Sequence, residues 1–458
     1  MRRSIVLSVL RGPKRIAARK QPGCYHQFRC RNHDGPIESS RAADSRSLWV
    51  LLGFLMLSTV PAVGADREWT RFRGSNGCGI GEASGIPATW TDQDYIWKVS
   101  LPGIGFSSPV IWDDRIYLTS TIEEETTLIV LCLNTADGAV RWQRRYQTRP
   151  HPKFKANCDA SATPAVDEDR LYVAWATPDE HVVLALEQRQ GTELWRRDLG
   201  PFVAEDGFGT SPILAGDVVV LSNDQDPGGT SSIVALDRQT GETRWQVDRE
   251  SKKATFSTPC LFEPEGERPQ VIVLGCAHGI TSLDPATGAK NWALDDIFEL
   301  RTTGSPLVAA GMIFASNGAG NAGKYLVAVR PGSAEQGTGP DVLYRISQAA
   351  PYVVTPVANW PLVFFWSDRG VVTCVDGPSG DVHWRERVGG EYLGSPVRVG
   401  DRIYSISNSG EMVVLAAAER FEVLARIDLG EPSHSTPAVA GGVMYLRTLS
   451  HLMSLGGK

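Results

Sequence analysis

The chain has 458 residues, 42% hydrophobic and 21% charged, with 46 Gly, 28 Pro and 13 Trp, which excludes a disordered, collagenous or disulfide-dense small protein. Residues 1–46 hold 11 basic against 3 acidic residues, residues 47–65 hold no charge, and residues 66–458 carry 35 against 49, a net of −14. An acidic body argues against nucleic acid as its main partner.

In chain order, Arg46 precedes an apolar run from Leu48 to Val60, then Pro61 and small residues ending Val63-Gly64-Ala65. Charged n-region, short apolar stretch and small-residue cleavage site read as a secretory signal peptide over 47–65, cut after Ala65. The uncharged stretch is just long enough to span a bilayer, so a retained anchor is the alternative. Residues 1–46 lack apolar periodicity and read as upstream sequence from a start codon placed too early. A nucleic-acid arm or nuclear signal finds nothing basic downstream. No lipid-anchoring Cys follows Ala65, so the expectation is a periplasmic or extracellular protein with no stable membrane span after cleavage.

Residues 66–94 form a lead-in, and from residue 95 a repeat takes over. A hydroxyl residue precedes Pro eight times: Ser108, Thr163, Ser211, Thr258, Ser305, Thr355, Ser395 and Thr436. The prolines are 40 to 55 residues apart, the period of a propeller or solenoid. Each Pro opens an apolar run, a tight polar turn and a β-branched second strand, a hairpin in which Pro costs no ladder hydrogen bond at the first strand position. A third strand then ends in Asp, Glu or Asn, with Gly four residues on and Trp four beyond that. Trp142, Trp195, Trp245, Trp292 and Trp384 share this slot on a fourth strand, and Tyr344 is expected to stand in for it in the blade opened by Pro306.

The unit is therefore a four-stranded antiparallel blade. The last copy runs out with three strands, while Tyr95 to Val99 precede the first copy unpaired. Trp97 should complete the eighth blade and close the ring by strand exchange between the termini, removing exposed sheet edges. The expected fold is an all-β, eight-bladed β-propeller over 95–458.

The repeated Leu-Asp-x-x-Thr-Gly-x-x-x-Trp unit, as at Leu236 to Trp245, with its Ser-Pro or Thr-Pro openings, resembles the pyrroloquinoline-quinone-binding-like propeller family. The lead-in from Trp69 to Gly79 is similar to the opening of exported members of planctomycete type. The resemblance implies one of two functions: a quinoprotein alcohol or sugar dehydrogenase holding quinone and Ca²⁺ on the axis, or a non-catalytic scaffold like the outer-membrane assembly lipoprotein. Fold alone does not choose. Dehydrogenases of that type commonly carry an adjacent Cys-Cys pair over the quinone, and several a C-x-x-C-H haem motif; this sequence has neither. The favoured reading is a binding or interaction scaffold for a protein, small-molecule or carbohydrate ligand. A PQQ- and calcium-dependent oxidoreductase is the alternative.

Loops joining fourth to first and second to third strands should open on one funnel face. Candidate ligand-binding residues there are Asp159, Arg301, Glu391, His434, Asp368, Asn317 and Asn321, with Phe106, Phe208, Phe256 and Tyr352 as aromatic neighbours. Asp159, Glu391 and Arg301 could orient a polar ligand, and His434 could act as a general base. No cysteine or histidine spacing supports a metal site, and no residue pattern points to a catalytic group. The insertion 151–159 either caps the funnel or packs on the lead-in. Gly318 to Gly323 matches G-x-G-x-x-G, but β-prone residues follow where a dinucleotide site needs a helix. Cys260 and Cys276 would face each other if their hairpin centres near residue 268; otherwise they are free buried thiols.

Overall fold

The computed structural model describes residues 67–320 and 322–456, so the readings over 1–65 and the candidate Asn321 lie outside the described residues. Eight antiparallel sheets form the blades of a β-propeller, here numbered 1 to 8 from the sheet that begins at Val110. Tyr95–Ser100 pairs with His451–Leu455, placing Trp97 opposite Ser454, so the first described long strand completes the last blade as expected. In all eight blades the pairing of third and fourth strands shifts register just ahead of the Trp slot. That bulge turns the slot residue toward the next blade.

The slot works as a dock. Indole N–H groups of Trp97, Trp142, Trp195, Trp245 and Trp384 donate to main-chain carbonyls of Thr135, Gln188, Arg238, Pro285 and Ala418 on the following blade. The ring lies so close to that blade's turn that a Cβ on Gly288 would be 2.7 Å from Trp245. Tyr344 occupies the slot of blade 5, its hydroxyl donating to Gly377 O at 2.6 Å. Trp292 keeps the register but bonds Gln270 Oε1 instead, because the next blade replaces the Gly turn with a longer excursion between Arg330 and Asp341. In blade 7 the slot holds Ala425, opposite Val414. Lead-in residues Ile86 and Trp90 pack into that cluster, and the Ile86 and Pro87 carbonyls accept from Tyr404.

The eight hydroxyl residues before Pro have a shared task. Ser108 N–H donates to Thr163 Oγ1, Thr163 N–H to Ser211 Oγ, and the series runs through Thr258, Ser305, Thr355, Ser395 and Thr436. Thr436 N–H returns to Ser108 Oγ, closing a ring of bonds 2.9–3.4 Å long around the axis. An inner-strand start has no sheet neighbour for its N–H, and a buried unpaired N–H is costly, so each blade borrows the next blade's side chain.

The lead-in closes the lower end of this axial channel. Trp69 bridges to Ile111, Asn76 exchanges two bonds with the main chain of Leu261, and Ile80–Gly81 adds a parallel strand to Val397–Val399. Arg71 donates to Pro259 O, while Arg73 donates to the carbonyls of Gly77, Cys78, Thr355, Pro356 and Pro396. Burial lowers both guanidinium pKa values to about 10, so both remain cations at neutral pH.

Of the two alternatives for Cys260 and Cys276, the structure has the free thiols. Cys260 sits opposite Ile272, which centres the hairpin on residue 266, two residues earlier than the spacing of the cysteines required. Cys276 lies four residues beyond Ile272, about 13 Å at the strand rise and too far for a bond. Both are free thiols. The glycine-rich match at 318–323 falls at the turn between strands Met312–Ala319 and Ala322–Arg330, not ahead of a helix. Among the described residues no helix is long and apolar enough to cross a membrane.

Candidate functional site

A cavity of about 550 Å³ opens on the face where loops between fourth and first strands converge. All eight ring hydroxyl residues and Phe72 line it. Arg71 and Arg73 bond carbonyls that stand within one residue of those hydroxyls, so hydroxyls and Phe72 form the floor and two cations lie beneath it. Phe106, Phe154, Phe256, Tyr352 and Leu393 supply apolar wall, and Asp206, Lys252, Lys253, Glu299 and Arg301 bring charge. The insertion 151–159 rims this mouth: Phe154, Ala156 and Asn157 line it, and Asn157 Nδ2 ties the insertion to Asp206 O at 2.7 Å.

Two of the candidates read from the sequence meet in the cavity. Arg301 pairs with Asp206 from a loop two blades away, lies 3.7 Å from Asp226, and stacks over Phe256 at 5.5 Å. Burial alone would lower its pKa, but the bond to Asp206 and the carboxylate charges of Asp206 and Asp226 raise it above the ordinary value. His434 packs on Phe106 with ring centroids 4.4 Å apart. Burial pushes His434 down, with a smaller upward pull from the Ala156 main chain, leaving a neutral imidazole whose Nδ1 has no partner.

Asp159, Asp368 and Asn317 hold loops rather than line the cavity. Asp159 is engaged by Lys153 Nζ at 2.6 Å and His151 at 3.5 Å, which staples the insertion. Asp368 accepts from Tyr352 N and Val353 N at 2.7 and 2.8 Å; burial raises its pKa against those bonds. Asn317 is fully buried, its amide oxygen accepting from the main chain of Glu299 and Leu300. Glu391 is exposed and outside the cavity lining, where Leu393 takes the place expected for it. Phe208 points back onto His181. The residues missed were Phe72, Asp206, the two lysines and above all the ring hydroxyls. The hydroxyl-Pro repeat was the available signal for the last of these.

His181 makes the loops beside this mouth sensitive to acid. It is wholly buried between Phe202 and Phe208, bonded to Asn223 through Nδ1, and its pKa falls to about 4 through burial. The unfolded chain binds this proton near pH 6.5 and the folded chain only near 4, so stability is full above 6.5 and declines as pH falls to 4. The loss at the low end is about 3 kcal/mol. Denaturant titrations between pH 7 and 4 should show this decline, with a shallower slope in His181→Gln.

A family model described as outer membrane protein assembly factor BamB matches residues 127–340, 347–420 and 368–454. The chain belongs to this family. It is 20% identical over 281 residues to the outer membrane protein assembly factor BamB of Yersinia pestis, covering 59% of this chain and 68% of that one. It is 23% identical over 239 residues to methanol dehydrogenase subunit 1 of Paracoccus denitrificans, covering 45% of this chain and 35% of that protein, about a third of its length. A quinohemoprotein alcohol dehydrogenase from Comamonas testosteroni superposes with a TM-score of 0.62 at 14% identity, covering 86% of this chain and 81% of that one. This PQQ-repeat propeller is thus similar both to an assembly factor and to dehydrogenases, and its own site must distinguish them.

The residues present do not fit a quinone held with a cation. Among the described residues no three His, Cys, Asp or Glu side chains converge as metal ligands. The acids in the lining are Asp206 and Glu299, the first paired with Arg301 and the second with Lys324. Cys276 is the lining cysteine and has no adjacent cysteine to form a cap.

Proposed function

We propose that the chain is an exported, non-catalytic binding scaffold whose funnel face receives its ligand. The supporting observation is that both acids of the lining, Asp206 and Glu299, are held by internal partners, as are Asp159 and Asp368 beside it, so no free carboxylate in the cavity is left to act as a base or hold a cation. Export rests on the signal-like residues 47–65 and on the family's outer-membrane association by name. The lead-in supports one-sided access, because its arginines stopper the other end of the channel.

The test is turnover. Supplied with pyrroloquinoline quinone, Ca²⁺ and an artificial electron acceptor, the purified chain from Asp66 onward should oxidise alcohols and sugars no faster than a no-enzyme control. Turnover abolished by Asp206→Asn or Glu299→Gln would replace this reading with the quinoprotein oxidoreductase.

A further inference from the structure

The floor of the funnel has donors without acceptors. Each of the eight ring oxygens accepts one N–H, and a Ser or Thr hydroxyl retains a proton to give. None of the eight donates to another group among the described residues. Eight O–H donors therefore surround one axis at the base of a cavity. The ring is built into the main chain by its own hydrogen bonds, so the donors are positioned before any ligand arrives.

Charge on the same axis points the same way. Arg71 and Arg73 are buried beneath the ring with carbonyl oxygens as their partners and no carboxylate in their surroundings. Carbonyl dipoles meet the Arg73 guanidinium and Arg71 Nη2, while Arg71 Nε has no partner, and neither charge is cancelled. Above the floor, Arg301 is paired with Asp206 and Asp226, Lys253 with Glu205 and Asp226, and Glu299 with Lys324, so those charges largely offset and the uncompensated cations are Arg71, Arg73 and Lys252. Lys252 has no ion-pair partner among the described residues. The cavity is thus positive in a body of net −14, and low-dielectric walls focus such a field. Phe106, Phe154, Phe256, Tyr352 and Leu393 give the lining its apolar area, beside the polar Asn157, Ser161, Thr303 and His434.

We infer that the funnel binds a small organic acid, its carboxylate against the hydroxyl ring and its apolar part against Phe106, Phe154, Phe256 and Tyr352. This rests on the funnel being the working site and names the chemistry of its ligand. The volume suits a molecule of one or two rings. The acidic exterior opposes bulk anions, and the axial field selects those that can reach the floor.

The experiment is a calorimetric titration of the chain from Asp66 with benzoate and with benzamide, its neutral isostere. A charge-assisted bond is about twice as strong as a neutral one, so benzoate should bind at least about ten-fold more tightly, with the advantage shrinking in high salt. In Thr258→Val/Thr355→Val the ratio should fall to about two-fold, and in Lys252→Gln, a rim change that leaves the ring intact, benzoate should weaken about three-fold. A blocked dipeptide ending in a free phenylalanine carboxylate, run beside its amide, separates a free acid from the C-terminus of a protein as the source of the same group. Equal binding of benzoate and benzamide would overturn the anion inference while leaving the funnel as the ligand site. Binding of neither would also overturn it and leave the scaffold reading to the turnover assay.

Discussion

Replacing Arg73 with alanine lowers the unfolding free energy by about 3–5 kcal/mol, the cost of stripping partners from buried polar groups. The residue has no exposed surface, and five carbonyl oxygens depend on its guanidinium, three of them on blades 6 and 7 more than 280 residues away in sequence. Removing it leaves those oxygens facing a void where water has no access from the closed lower end. Arg73→Met restores much of the volume but none of the donors, so it should recover only the packing part of the loss. The loop is built around the same side chain: a Cβ on Gly79, whose φ is +70°, would lie 2.5 Å from Arg73 Nη2. Guanidinium unfolding of wild type and both variants checks this. A loss below 1 kcal/mol for Arg73→Ala would mean the lead-in merely drapes over the propeller.

Truncating Trp245 to alanine has a comparable effect, about 3–5 kcal/mol, typical of a large aromatic removed from a packed site. The indole seals blade 3 to blade 4: it stacks on the turn at Gly288 and donates to Pro285 O at 2.9 Å. Blade 7 shows why an alanine is tolerated only with help, since Ala425 stands in the same slot and the lead-in fills the space with Ile86 and Trp90. Blade 3 has no such segment beside it. Thermal melting should place Trp245→Ala well below wild type, and Trp245→Phe, which keeps the ring face but loses the N–H, between them.

The repeat made the fold legible. Hydroxyl-Pro spacing, the Gly-to-Trp interval and the orphan strand at Trp97 fix blade number, register and closure, because each reports a local interaction that every blade repeats. Even Tyr344 could be placed, since its position in the interval outweighs its chemistry. The candidate site was less legible for a physical reason. Distance ahead of a repeat Pro says that a residue is on a funnel loop, but not whether its side chain faces the axis or turns back to hold the loop. Asp159 and Asp368 turn back; Arg301 and His434 do not. The lead-in escaped because it has no repeat and its role is visible only against carbonyls from blades 4, 6 and 7. The ring hydroxyls were seen but credited to the proline beside them.

The hydroxyl ring above Arg71 and Arg73 is the proposed seat of the ligand's carboxylate. Crystals of the chain from Asp66 soaked in 4-bromobenzoate test it directly, because bromine marks the bound molecule by anomalous scattering. One bromine site is expected within the funnel, with the carboxylate in hydrogen-bond range of Thr258, Ser305 or their neighbours around the ring, and loss of that site in Thr258→Val/Thr355→Val. Bromine found on the blade edges with the funnel empty, or a carboxylate turned outward to solvent, would contradict it.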